Sequence, residues 1–241
     1  MKRRTFLTLP VALAPLAPLP RAWAKTPDYP SVSAGRPLVF PRDYGAHPLY
    51  RTEWWYATGW LYTDDGSALG FQVTFFRSRP ALDDANPSRF APAQLLFANV
   101  ALSDPHAGKL QHDQRSARSG FGLADASETD TSVHIGDWSL RRVAGKPFGQ
   151  YRVDIAAANF TLAFTMQPLQ PVLLNGTQGY SRKGPLASQA SYYYSEPSLR
   201  VEGTLLRERA SGRQPEHVRG TAWLDHEWSS ALLADEAVGW D

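Results

Sequence analysis

Phe160-Thr161-Leu162-Ala163-Phe164-Thr165-Met166 decides the fold class. Large apolar side chains alternate with small or polar ones, so the period is two. Only an extended chain places such a set on one face. The same alternation runs through Tyr151, Val153 and Ile155, through Leu199, Val201, Gly203 and Leu205, and through Leu96, Ala98, Val100 and Leu102. Each run predicts a strand with one buried face. Asp64-Asp65-Gly66-Ser67 lies between two aromatic runs and predicts a hairpin turn. The phase slips at Gly136, between Val133 and Ile135 on one side and Trp138 and Leu140 on the other, which predicts a β-bulge. A helical reading of 85–98 is opposed by Pro87 and Pro92. Roughly nine or ten strands at regular spacing point to an all-β barrel or sandwich.

The 241 residues are 43% hydrophobic and 20% charged, enough to bury a sizeable core. With no cysteine, disulfides, thiolate metal sites and a cysteine nucleophile are excluded. The net charge of +2 is unevenly placed: residues 1–24 hold Lys2, Arg3, Arg4 and Arg21 and no acid. The other 21 basic and 23 acidic residues leave −2, which removes the electrostatic support for a nucleic-acid partner. Residues 1–24 follow the order of a signal peptide: a basic start, an uncharged stretch and Ala22-Trp23-Ala24 as a cleavage site. Consecutive arginines before Phe6-Leu7 look like a twin-arginine export signal, which predicts a periplasmic or secreted protein. Thr5 to Pro20 is 16 residues long and interrupted by four prolines, too short and broken for a good membrane span. Residues 25–48 hold five prolines and read as an extended lead-in; 49–228 read as the barrel domain. Residues 229–241 read as a linker and the start of a second domain.

Three motifs carry chemistry. In the first strong strand, Thr52, Trp54, Tyr56, Thr58, Trp60 and Tyr62 share one face. Such a row of rings can line a cavity for a long apolar ligand, which makes Trp54 and Tyr56 candidate ligand-binding residues. Glu53, on the opposite face between bulky rings, needs a partner such as Arg51 or Arg77. Tyr192-Tyr193-Tyr194-Ser195 offers phenols, with Tyr192 and Tyr194 on one face and Tyr193 on the other. In Trp223-Leu224-Asp225-His226-Glu227-Trp228 the apolar phase of Val218, Gly220, Ala222 and Leu224 continues into His226 and Trp228. Parity aims those two inward, as a proton handler beside a cation-stabilising ring, and turns Asp225 and Glu227 away. Core packing alone would also account for each of these residues. His47, His106, His112, His134 and His217 are scattered, give no metal-ligand spacing and read mostly as exposed. No metal and no cofactor are expected.

Glu53-Trp54-Trp55-Tyr56, Gly70 to Arg77, Ser191 to Ser195 and Gly220 to Trp228, in that order, resemble the AttH-type lipocalin-like family. That family includes carotenoid 1,2-hydratases and exported proteins described as hydrolases. The resemblance runs from about residue 36 to the end and implies a lipocalin-like antiparallel β-barrel, the first of a tandem pair. On that pattern the second domain is missing here. The lipocalin Gly-x-Trp signature is not reproduced, because Gly59-Trp60 lacks the spacer. In the hydratases a buried carboxylic acid protonates a terminal C=C bond of an acyclic carotenoid, and water captures the tertiary carbocation. A His-x-Trp pair carries part of that site, and His226-Glu227-Trp228 matches it. The acid and a nearby tyrosine belong to the following domain. The resemblance thus marks His226 and Trp228 as catalytic residues, with Asp225, Glu53 and Tyr194 as further candidates.

The resulting expectation is an exported protein that binds a lipophilic or isoprenoid ligand and hydrates or hydrolyses it. A non-catalytic periplasmic carrier, working with an export system, is the first alternative; a carbohydrate-binding β-sandwich is the second. Peripheral membrane contact is compatible with either ligand reading.

Overall fold

The computed structural model describes residues 27–82, 86–208 and 212–231. The expected signal peptide and residues 232–241 lie outside the described residues. Strands appear where the alternation predicts them, but there are thirteen among the described residues rather than nine or ten, the extra ones being short. β1 (Thr52–Thr63) and β2 (Ala68–Ser78) are joined by the expected turn, with Gly66 at φ 84°. β3 (Leu95–Ser103) begins inside the 85–98 stretch whose prolines oppose a helix. β4 (Gln111–Arg118), β5 (Ala124–Ala126), β6 (Ser132–Ile135), β7 (Trp138–Val143), β8 (Gln150–Ala156) and β9 (Phe160–Pro168) follow. β10 (Leu173–Leu174) and β11 (Tyr180–Arg182) are short, and β12 (Ala190–Arg207) and β13 (Gln214–Ala231) are long. β13 runs three residues into the expected linker.

All strands belong to one antiparallel sheet ordered β4-β3-β2-β1-β13-β12-β9-β8-β7-β6-β5. A single wound sheet excludes a sandwich of two stacked sheets. Among the described residues the end strands β4 and β5 share no ladder; the chain between them turns through the isolated bridge Gly120–Ala124. Side chains complete the closure: Arg115 of β4 pairs with Asp137, and its guanidinium lies 4.3 Å from the Trp138 ring. β12 and β13 stay paired through a register shift between Glu196 and Leu199, where Pro197 and Ser198 sit. Proline is tolerated there because a bulge needs no ladder hydrogen bond from it.

Two expectations change. Gly136 is not a bulge: it has φ 59° and opens a two-residue hairpin turn in which Ile135 pairs with Trp138. A turn shifts parity as a bulge would, and alternation cannot distinguish them. The lead-in is not simply extended: it contains a 3-10 helix, Arg42–Tyr44, and straps one end of the barrel. Ala46 N–H donates to Ser127 O at 2.7 Å, and Thr131 Oγ1 donates to Tyr44 O at 2.9 Å.

The interior has two parts. The larger packs apolar side chains from across the sheet, among them Leu61, Leu69, Leu140, Val153, Leu162, Phe164 and Val201. The smaller lies under the strap, where Tyr50, Tyr192, Tyr194 and Trp228 meet Leu38, Phe40 and Tyr44.

Candidate functional site

Register builds the site in two inward layers. Arg77, Glu53, Trp228 and Tyr192 stand side by side on β2, β1, β13 and β12. Phe75, Trp55, His226 and Tyr194 form the next layer. Glu53 and His226 are fully buried, and the strap brings His47 against both.

Glu53 is the hub. Its Oε2 accepts from Arg77 Nε and the His47 backbone N–H, each at 2.8 Å. Its Oε1 faces His47 Nδ1 at 2.7 Å and His226 Nε2 at 2.8 Å. Burial pushes the carboxyl's pKa up, but the His47 and Arg77 charges and the ring hydrogen bonds hold it well below the ordinary carboxylate range. Glu53 is therefore an anion that can only accept. His47 also meets Asp43 Oδ1 through Nε2 at 3.3 Å, and the two carboxylates raise its pKa against the opposing effect of burial. Burial dominates at His226 and lowers its pKa to about 4, against the pull of Glu53. The imidazole is thus neutral at pH 7. Facing an acceptor, its Nε2 carries the proton, so Nδ1 accepts from Tyr194 O–H at 3.0 Å.

Rings enclose this chain. Trp55 stacks on His226 at 4.7 Å and His47 stacks on Trp228 at 3.7 Å. The Trp55 and Trp228 Nε1 atoms are buried without a hydrogen-bond partner. On β12, two residues past Tyr194, Glu196 is 1% exposed and also faces inward. Its Oε1 accepts from Tyr151 O–H at 3.1 Å, while Oε2 is buried with no partner. Burial raises its pKa to about 7, against the Tyr151 hydrogen bond and the Arg142 charge.

Parity placed His226 and Trp228 correctly, and Glu53 pairs with Arg77 rather than Arg51. Tyr194 joins His226. Asp225 points to the other face, where Ser195 Oγ and Trp223 Nε1 donate to it. It is not the acid beside His226. Trp54 and Tyr56 share that outer face, so the ring row does not line an interior cavity: Trp60 and Tyr62 of the same row are 58% and 45% exposed. Alternation fixes which residues share a face, not which face is inside. Trp60 and Trp223 instead border an open outer hollow of about 510 Å³.

Sequence reasoning missed His47, read as exposed, and Glu196. His47 lies in a proline-rich segment with no period to read, and only the fold brings it to Glu53 and His226. Glu196 precedes Pro197, which reads as a strand boundary.

His47, Glu53 and His226 offer ligand atoms within 4.8 Å of one another, the group among the described residues that could hold a metal ion. Glu53 Oε1 lies between the two ring nitrogens at hydrogen-bond distance, and Arg77 and a backbone N–H take Oε2. The donor set is saturated by its own hydrogen bonds and does not call for an ion.

A family model described as AttH-like matches residues 31–241. No curated protein matches the chain. Among solved structures, a Nitrosomonas europaea protein assigned to AttH is 50% identical, with 88% of this chain and 61% of that chain covered and a TM-score of 0.77. Kievitone hydratase from Nectria haematococca is 11% identical, with 86% of this chain and 57% of that chain covered and a TM-score of 0.59; the likeness is one of fold. The chain thus spans less than two thirds of either neighbour's length.

Proposed function

We propose, from the premise that the chain belongs to the AttH-like family and folds as a lipocalin-like antiparallel barrel, that it serves an exported hydratase of lipophilic, isoprenoid-like compounds. The observation that carries this reading is the neutral, fully buried His226 between a phenol and an anionic carboxylate. As water captures a carbocation, the new oxonium must lose a proton. Tyr194 can take it while its own proton passes to His226 Nδ1 and the Nε2 proton moves toward Glu53. An oxonium is a strong acid, so weak bases suffice. The Trp55 and Trp228 faces can stabilise the preceding cation by roughly 0.5–2 kcal/mol. A likeness in fold to a protein named a hydratase supports the reaction class, and the twin-arginine-like leader supports export.

The test is incubation of the full-length protein, expressed from its gene, with an acyclic carotenoid in detergent micelles, followed by mass spectrometry for the added water. Product is expected, with His226→Ala reducing turnover about 100-fold or more. Absence of product, or full turnover by that variant, would count against the reading.

A further inference from the structure

The ring row of β1 lies outside the barrel, and its far end borders a hollow that the relay does not use. At about 510 Å³ this hollow falls in the size range of small-molecule sites. We propose that it binds a neutral saccharide, with Trp60 and Trp223 as stacking platforms. The site is separate from the groups around Glu53, because its side chains occupy the opposite face of β1 and β13.

Register assembles the hollow. Thr58 pairs with Trp223 and Trp60 with Thr221 across β1 and β13. The two indoles are thus diagonal neighbours, about 7–8 Å apart at the backbone. Gly70 of β2 faces Trp60, and Ser103 of β3 faces Gly70. A Cβ at Gly70 would meet only that of Ser103, at 3.4 Å, so the glycine keeps the floor open. Pro197 and Ser198, in the β12 bulge, close one side.

The lining selects the ligand class. Among the described residues, no charged side chain lines the hollow. An ionic ligand would leave water there without a counter-charge. Yet the lining is not purely apolar. The hydroxyls of Ser103, Ser198 and Thr221 have no hydrogen-bond partner among the described residues. Gln72 Nε2 donates to Thr74 Oγ1 at 3.2 Å and leaves Oε1 as an acceptor. A wholly apolar ligand would cover these groups and satisfy none of them. A pyranose matches both halves. Its C–H face is apolar and slightly positive, which suits the negative face of an indole, and its hydroxyl rim both donates and accepts.

One platform is held ready. Trp223 Nε1 donates to Asp225 Oδ1 at 2.6 Å, and Ser195 Oγ donates to the same oxygen. Asp225, turned away from His226, is therefore a positioning residue that fixes the tilt of the ring. A ring already fixed loses less freedom when a ligand stacks on it. With no carboxylate in the lining, the site binds sugar and does not cleave it.

Isothermal titration calorimetry of the full-length protein with maltotriose, cellotriose and chitotriose tests this. Saturable binding of at least one of them is expected. Trp60→Ala should weaken it about tenfold. Gly70→Val, which fills the hollow from a strand position, should abolish it. Both variants should unfold no more easily than wild type in urea. Asp225→Ala should also weaken binding, and Asp225→Asn, whose amide oxygen still accepts the indole proton, should restore it. No binding of any of the three sugars would overturn the proposal, as would binding that survives in Gly70→Val. Decanoate bound there in place of sugar would make the hollow an apolar site and overturn the saccharide assignment. Carotenoid turnover enters none of these measurements, so hydration stands or falls separately.

Discussion

The two parts of the barrel interior use opposite solutions to the same burial problem. The larger part fills space with aliphatic and aromatic side chains, so that Leu61, Leu140, Leu162 and Val201 are wholly buried with nothing to satisfy. The part under the strap buries Glu53, Arg77, His226, His47 and Asp43 and ties them together by hydrogen bonds. Apolar packing rewards nearly any chain that supplies volume. A buried ionic network is less forgiving, because desolvation can offset its attraction and removal of one member exposes another's unpaired charge. Its gain is specificity. Arg77 also donates to the Tyr50 and His47 carbonyls, so the network holds the strap in one place over the barrel mouth.

The largest expected effect breaks that contrast at Arg77. Arg77→Ala leaves Glu53 ionised and buried, and should cost about 3–5 kcal/mol in urea unfolding. Leu162→Ala, in the apolar part, should cost about 3 kcal/mol through lost transfer energy and the cavity left behind. The sharper difference is in pH. Leu162→Ala should cost the same at pH 5 and pH 8, since the side chain is packed in the apolar cluster. Equal pH dependence in variants of both parts would dissolve the distinction.

Glu196 sharpens the comparison further because its effect has the opposite sign. Its folded pKa is raised to about 7, against about 4.3 for an unperturbed glutamate. Between those values the folded chain holds a proton that the unfolded chain has released. Stability from this group is complete below about pH 4.3 and is lost as pH rises through 7. Glu196→Gln cannot ionise, so it should match wild type at pH 4.5 and exceed it by roughly 3 kcal/mol at pH 8. Denaturant midpoints across that range would show it. A gain that does not vary with pH would mean that Glu196 is not a protonated acid.

Period-two alternation made the strands legible, and parity made the inward aim of His226 and Trp228 legible, because both signals are local. The need of Glu53 for an arginine was legible as well. His47 was not. It joins His226 through the fold alone, from a proline-rich segment with no period to read. Glu196 was hidden by Pro197: a proline after a tyrosine run reads as a break, whereas here it occupies a bulge inside one long strand. Closure of the barrel was equally obscure, since Arg115 meets Asp137 and Trp138 through side chains and not through a strand ladder.

The smallest expected effect concerns β1, where one strand samples both environments. Trp55 faces His226 and is 1% exposed, while Trp60, on the opposite phase, is 58% exposed. Both are tryptophans in a strand, so propensity treats them alike and only facing separates them. Trp55→Ala removes a ring from a packed interior and should cost about 3–5 kcal/mol. Trp60→Ala removes a ring from the border of the outer hollow and should stay within about 0.5 kcal/mol. The pair is informative because a row of rings on one strand face is also the pattern of a cavity lining. Were Trp54, Tyr56 and Trp60 inside, Trp60→Ala would be the costly change and Trp55→Ala the silent one. Reversal of the two costs would invert β1, detach Glu53 from His226 and dismantle the relay. The expected order leaves the imidazole, the anion and the indole on the same side of the sheet.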